Sequence, residues 1–301
     1  MTQRSAAVAA LTLLLAAPLA AAPRPAALEP NVHFLGADGQ IVRGQRCATP
    51  PLTAAQRREV GEVLRLLGRA KARPGGGNVV IPVAFHVIYS ERRGLQEGNV
   101  PDAMIQAQMD VLDDAFAPHG YSFTLASVDR TLDNRWYGGC WGRGPESAMK
   151  EALAVDVPNT LNIYTCSPKA GILGYAYLPS SLPEDHPLHG VVLLHSTLPG
   201  GTAAPYNLGD TATHEVGHYL GLEHTFEGGC QEPGDFVADT PAEASPASGC
   251  PVGRDTCAAA GLDPIENFMD YTDDACIIQF TPGQKTFMDQ MVAAYKPGLL
   301  D

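Results

Sequence analysis

The segment HEVGHYLGLEH, residues 214–224, sets two histidines four positions apart, then a glycine, then a third histidine. One turn of helix puts His214 and His218 on one face, close enough to share a single ion. On a continued helix His224 could not join them, because ten residues would carry it about 15 Å along the axis from His214. Gly221 resolves the conflict, since glycine adopts the left-handed conformation that ends a helix and turns the chain back. The chain must therefore fold so that a helix stops at Gly221 and His224 returns to the same point. Three imidazoles around one open position make a zinc arrangement. Glu215, beside His214, can reach water on such an ion without being a ligand, and its carboxylate can take the proton as that water attacks a carbonyl carbon. With 9 His and 31 Gly in 301 residues, a chance match to these five positions is on the order of one in ten thousand.

The rest of the chain sets this segment in an exported protein. The opening MTQRSAAVAALTLLLAAPLAAAP has one arginine, an apolar run and small residues near 20–22, so residues 1–22 read as a secretory signal. No other long apolar run follows, so the mature form is expected outside the cell and off the membrane. Seven cysteines fit an oxidising compartment. Cys230, Cys250, Cys257 and Cys276 crowd a Gly/Pro-rich stretch with few apolar residues, where bridges would supply order; Cys140 and Cys166 form a candidate third pair, leaving Cys47 alone. Charge is divided unevenly: residues 1–77 hold ten Lys/Arg against four Asp/Glu, and residues 78–301 hold ten against twenty-nine, balances of +6 and −19. The acidic part is a poor partner for nucleic acid. It suits cations, a basic segment or basic substrates.

Residues 23–77 read as a separable propeptide: a Pro-rich start, a basic amphipathic helix in LTAAQRREVGEVLRLLGRAKA and a flexible RPGGGN junction. From Asn78 the pattern is mixed α/β. Strands are expected at NVVIPVAFHVIYS, YSFTLASVD, TLNIYTC and GVVLLHS. Helices are expected over VPDAMIQAQMDVLDDAFAPHG, near ESAMKEALA, from Asn207 with an Asn/Asp cap, and from Gly283 to Tyr295.

These residues together resemble the pappalysin family of metzincin zinc metallopeptidases, in its small secreted bacterial, archaeal and fungal members. The likeness runs through FHVIY, LNIYTC, HEVGHYLGLEHTF, VADTPAE, GRDTC, NFMDYTDDAC and FTPGQ. It implies an α/β (α+β) zincin-like catalytic domain over 78–301, with a twisted mixed sheet, an active-site helix and an irregular C-terminal subdomain. It implies a secreted endopeptidase acting on protein and peptide substrates that bind antiparallel to an edge strand, for which GVVLLHS is the candidate. Met269 would form a floor beneath the imidazoles, and the Tyr271 hydroxyl would stabilise the oxyanion. Disulfides Cys230–Cys257 and Cys250–Cys276 follow from the family pattern. So does a structural calcium ion, with Asp235, Asp239, Thr240 and Glu227 as candidate ligands. Cys47 would ligate zinc in a latent pro-form, the propeptide acting as inhibitor. Family members that cut before Arg or Lys carry an aspartate where this chain has Ala275; Asp273 and Asp274 stand beside it, and a basic preference is the expectation. The alternatives are a metzincin-fold binding protein that has lost catalysis, or a zinc hydrolase of another metzincin family. No ligand and no glutamate is lost from the motif.

Overall fold

The computed structural model describes residues 31–67, 78–142 and 144–300. The expected signal segment, the start of the propeptide and residues 68–77, which hold all of the RPGGGN junction but Asn78, lie outside the described residues. In chain order the elements are β1 (Val32–Leu35), β2 (Ile41–Gly44), α1 (Ala54–Leu67), β3 (Val79–Arg92), β4 (Leu95–Glu97), α2 (Asp102–Phe116), β5 (Tyr121–Leu132), α3 (Asn134–Gly139), α4 (Pro145–Leu153), β6 (Leu161–Cys166), β7 (Gly174–Ala176), β8 (Val191–Leu194), α5 (Asp210–Tyr219) and α6 (Pro282–Tyr295).

The long β-branched run of β3 forms the spine of a mixed sheet. It pairs in parallel with β5 on one side and with β6 on the other. β8 adds in parallel to β6, and β7 closes that side antiparallel to β8. The helical spacing of Ile105, Met109, Leu112 and Phe116 buries one face of α2 in the main core. Val216 and Leu220 come from α5 and its end to the same core, and Met269, Met288 and Met291 reach it from the C-terminal part. The active-site helix is thus gripped between the sheet and the lower subdomain.

Two expectations change. GVVLLHS is an interior strand, and the edge on that side of the sheet belongs to the three residues of β7. The fully buried pattern of Val191–Leu194 is what a strand covered on both faces shows. The Asn/Asp cap of the active-site helix is likewise absent. Its N-cap is Gly209, at φ 104°, with no side-chain cap, while Asn207 donates to Gly201 O instead.

Residues 220–281 form little regular structure and are tied by Cys230–Cys257 and Cys250–Cys276, with Cys140–Cys166 joining α3 to β6. α6 starts with a capping box of Thr281 and Gln284. The strands β1 and β2 form an antiparallel hairpin in the segment read as propeptide, where no strand was expected. Among the described residues, no helix is long and apolar enough to cross a membrane.

Candidate metal centre and active site

α5 ends at Tyr219, and Gly221 takes φ 113° to turn the chain. The turn carries His224 back so that its Nε2 lies 3.1 Å from His218 Nε2, which in turn is 3.2 Å from His214 Nε2. The far sides of two rings are fixed by carbonyls: His214 Nδ1 pairs with Phe268 O and His218 Nδ1 with Leu222 O, each at 2.7 Å. A carbonyl accepts only from N–H, so both Nδ1 atoms carry the proton and both Nε2 atoms turn lone pairs toward the centre. Burial, with the neighbouring histidines, holds His214 well below its ordinary pKa; burial brings His218 down to about 4 and, with His218 beside it, lowers His224 strongly. Neutral imidazoles with converging lone pairs repel one another unless a cation lies between them, and this donor set fits zinc.

Met269 is fully buried below α5, and a Cβ on Gly217 would collide with its sulfur. The bare glycine lets the turn at Met269 press against the helix carrying His214 and His218. Phe268 O, one residue earlier, holds His214. Tyr271 brings its hydroxyl to 3.1 Å from His224 Nε2, and burial keeps that phenol protonated and able to donate.

Glu215 faces the edge strand. A Cβ at Gly174 of β7 would lie 2.8 Å from its Cγ, so glycine permits the approach. Its Oε2 accepts from Thr49 Oγ1 at 3.0 Å, and Cys47 Sγ lies 3.6 Å from the same oxygen. Oε1 is buried with no hydrogen-bond partner among the described residues. In the absence of a cation, burial pushes the carboxyl up to about 8.

Cys47, the free cysteine among the described residues, joins the histidines: one ligand atom from each of Cys47, His214, His218 and His224 lies within 4.8 Å of the others. Burial, and Glu215 beside it, raise the thiol well above its ordinary range in the absence of a cation. Residues 45–49 run along β7 in the parallel sense. Gln45 N donates to Gly171 O, Ala48 N to Gly174 O, and Ala176 N to Thr49 Oγ1.

The structure adds residues that spacing alone did not single out. Arg46, fully buried, donates to Thr211 Oγ1 and pairs with Asp274 Oδ1 at 3.2 Å, with the Tyr206 ring 4.9 Å from its guanidinium carbon. In the sequence Arg46 precedes the cysteine and Thr49 follows it by two residues. Of the three acidic-loop positions, Asp274 is the one that meets a cation; Ala275 is exposed and Asp273 half-buried. The expected calcium ligands do not gather as a set. Asp235 and Thr240 are bonded to each other, but Asp239 accepts from Thr281 Oγ1 and Gly283 N at the start of α6, and Glu227 faces Arg57.

A family model described as pregnancy-associated plasma protein-A, of the M43 peptidases, matches residues 158–293. An extracellular metalloprotease of Podospora anserina is 46% identical over 222 residues, covering 72% of this chain and 75% of its own. Another, from Sordaria macrospora, is 42% identical over 288 residues, 92% of this chain and 96% of its own. Among solved structures, Tannerella forsythia promirolysin superposes with a TM-score of 0.69 at 27% identity, covering 82% of this chain and 90% of that one. Mature mirolysin in complex with a cleaved peptide gives 0.62 at 28% identity, over 75% and 99%.

Proposed function

Because the chain belongs to the pappalysin (M43) family of metallopeptidases, we propose that it is a secreted zinc endopeptidase, made as a latent pro-form, in which Glu215 is the general base. The observation that carries this reading is the convergence of three Nε2 atoms whose opposite nitrogens are pinned by carbonyls. His214, His218 and His224 would hold the zinc. When bound, zinc supplies a Lewis acid that makes water acidic and polarises a carbonyl. Glu215, with Oε1 unpartnered, takes the proton of the attacking water and returns it to the leaving amine. Tyr271, held protonated by burial, donates to the oxyanion of the tetrahedral intermediate. Met269 keeps the helix and its ligands at fixed depth.

Residues 23–77 act as the inhibitory prosegment of the domain 78–301. Cys47 takes the ligand position that water needs, and Thr49 occupies the base. The segment lies parallel to β7, so a substrate bound antiparallel runs through the same groove in the opposite sense and is not mimicked as a cleavable peptide. The relatives' names place them outside the cell, and a secretory signal at residues 1–22 agrees with that location for this chain.

Arg46 precedes Cys47, so in the reversed direction its pocket receives the side chain just after the scissile bond. A buried carboxylate there, Asp274, favours arginine or lysine. For a second ion, calcium, the support is confined to the Asp235 and Thr240 oxygens, and metal analysis of the purified protein tests it.

Casein hydrolysis by the activated protein, abolished by a zinc chelator, restored by zinc and lost in Glu215→Ala, is the expected result. Full hydrolysis by Glu215→Ala would overturn the proposed role of the glutamate.

A further inference from the structure

Arg57 projects from the first turns of α1 into a pocket built by the catalytic domain. Its guanidinium bonds to Glu223 Oε2 and lies 3.8 Å from Glu227 Oε1. It donates to Gly234 O, and its carbon stands 4.6 Å from the centre of the Phe236 ring. The Glu223 side chain is only 5% exposed, and Arg57 is its ion-pair partner among the described residues. These are the parts of a recognition site for a planar cation: two carboxylates, a carbonyl in reach of the second nitrogen, and an aromatic face.

The pocket adjoins the metal centre. The prosegment passes from Arg46, at Asp274, through Cys47, at the histidines, to Thr49, Pro50 and Pro51, which share a small cavity with His218, Glu223, His224 and Glu227. Asp274 and the Glu223/Glu227 pair thus lie on opposite sides of the reacting centre along the groove. A prosegment that leaves takes Arg57 with it and strips a largely covered carboxylate of its counter-charge, which is costly unless a proton or another cation replaces it.

We propose that Glu223, Glu227, Gly234 O and Phe236 form a guanidinium subsite of the mature enzyme, filled by Arg57 in the pro-form and by a substrate arginine on the amino-terminal side of the scissile bond afterwards. This rests on the peptidase reading and on antiparallel substrate binding. With Asp274 across the centre, the enzyme reads basic residues on both sides of the bond it cuts. Arginine is preferred over lysine, because the carbonyl and the ring face reward a flat, forked cation.

The test uses activated enzyme, freed of its prosegment, and a series of peptides with one fixed cleavable bond. Arginine, lysine or glutamine is placed in turn at each of the residues before that bond. One position is expected to favour arginine over glutamine by about tenfold or more in kcat/KM, mostly through KM, with lysine between them. Glu227→Gln and Phe236→Leu should each shrink that ratio by several-fold. Because the ratio is taken within each variant, a general loss of activity cancels. Equal efficiency at every position, or a ratio unchanged in both variants, overturns the subsite alone. A protein that cleaves no peptide of the series removes the peptidase reading and the subsite with it.

Discussion

Cys47 Sγ lies 3.6 Å from Glu215 Oε2, so one residue of the proposed prosegment meets both the proposed base and the three histidines proposed to hold the metal. Replacing the thiol leaves Thr49 on the base but frees the fourth position around the histidines. Cys47→Ala pro-form should therefore hydrolyse casein at least about tenfold faster than the parent before any prosegment cleavage, as the fraction of open sites rises. Initial rates read beside a gel that shows the chain still uncut provide the check. Unchanged latency would sink the cysteine's proposed role.

Gly221 makes the third histidine depend on one backbone conformation. Alanine at φ 113° is strained, by about 1–2 kcal/mol, and its Cβ would stand 2.5 Å from Met291 Cβ. Overpacking of that kind adds about 1–3 kcal/mol. Gly221→Ala should lower the melting temperature and, by displacing His224, the zinc bound per chain. Full zinc occupancy together with a parental melting temperature would show that the turn tolerates a side chain.

How much of this is legible in sequence follows from how local each feature is. His214, His218, Glu215 and Gly221 are fixed by helical geometry over a few residues, and the long apolar patterns of β3 and α2 announce themselves in the same way. The edge strand does not, because β7 has only three residues and its identity depends on β8 being enclosed. Arg46 and Arg57 find Asp274 and Glu223 across most of the chain, contacts that no local period encodes. Ala275 and Asp274 are adjacent in sequence, and only the path of the loop before Cys276 decides which one faces the groove.

Asp274 provides the next prediction. Its Oδ1 meets Arg46, while Oδ2 accepts from Leu208 N at 2.9 Å. Asn in its place can retain the backbone bond while losing the charge. Asp274→Asn should cut the kcat/KM advantage of arginine over leucine after the scissile bond by roughly tenfold or more, the scale of a buried charge pair broken on one side. Paired peptides differing only at that residue give the ratio. An unaltered preference for arginine would assign the specificity to another group.

His189 ties stability to pH at a distance from the metal centre. Burial above all, then the positive charges of Lys296 and Lys150, hold its pKa down to about 3, while its Nε2 pairs with Pro183 O at 3.0 Å. In the unfolded chain it titrates near 6.5. Between those values the unfolded state binds the extra proton. The stability tied to neutral His189 is therefore whole above pH about 6.5 and drains away as pH falls toward 3. Fully developed, the loss is roughly 3–5 kcal/mol. His189→Gln keeps an N–H for Pro183 O but cannot titrate, so its melting temperature should fall less steeply between pH about 6.5 and 4. Carrying Glu215→Ala in both proteins prevents self-digestion during the melts. If the two slopes coincide over that interval, His189 is not the group that makes the fold acid-sensitive.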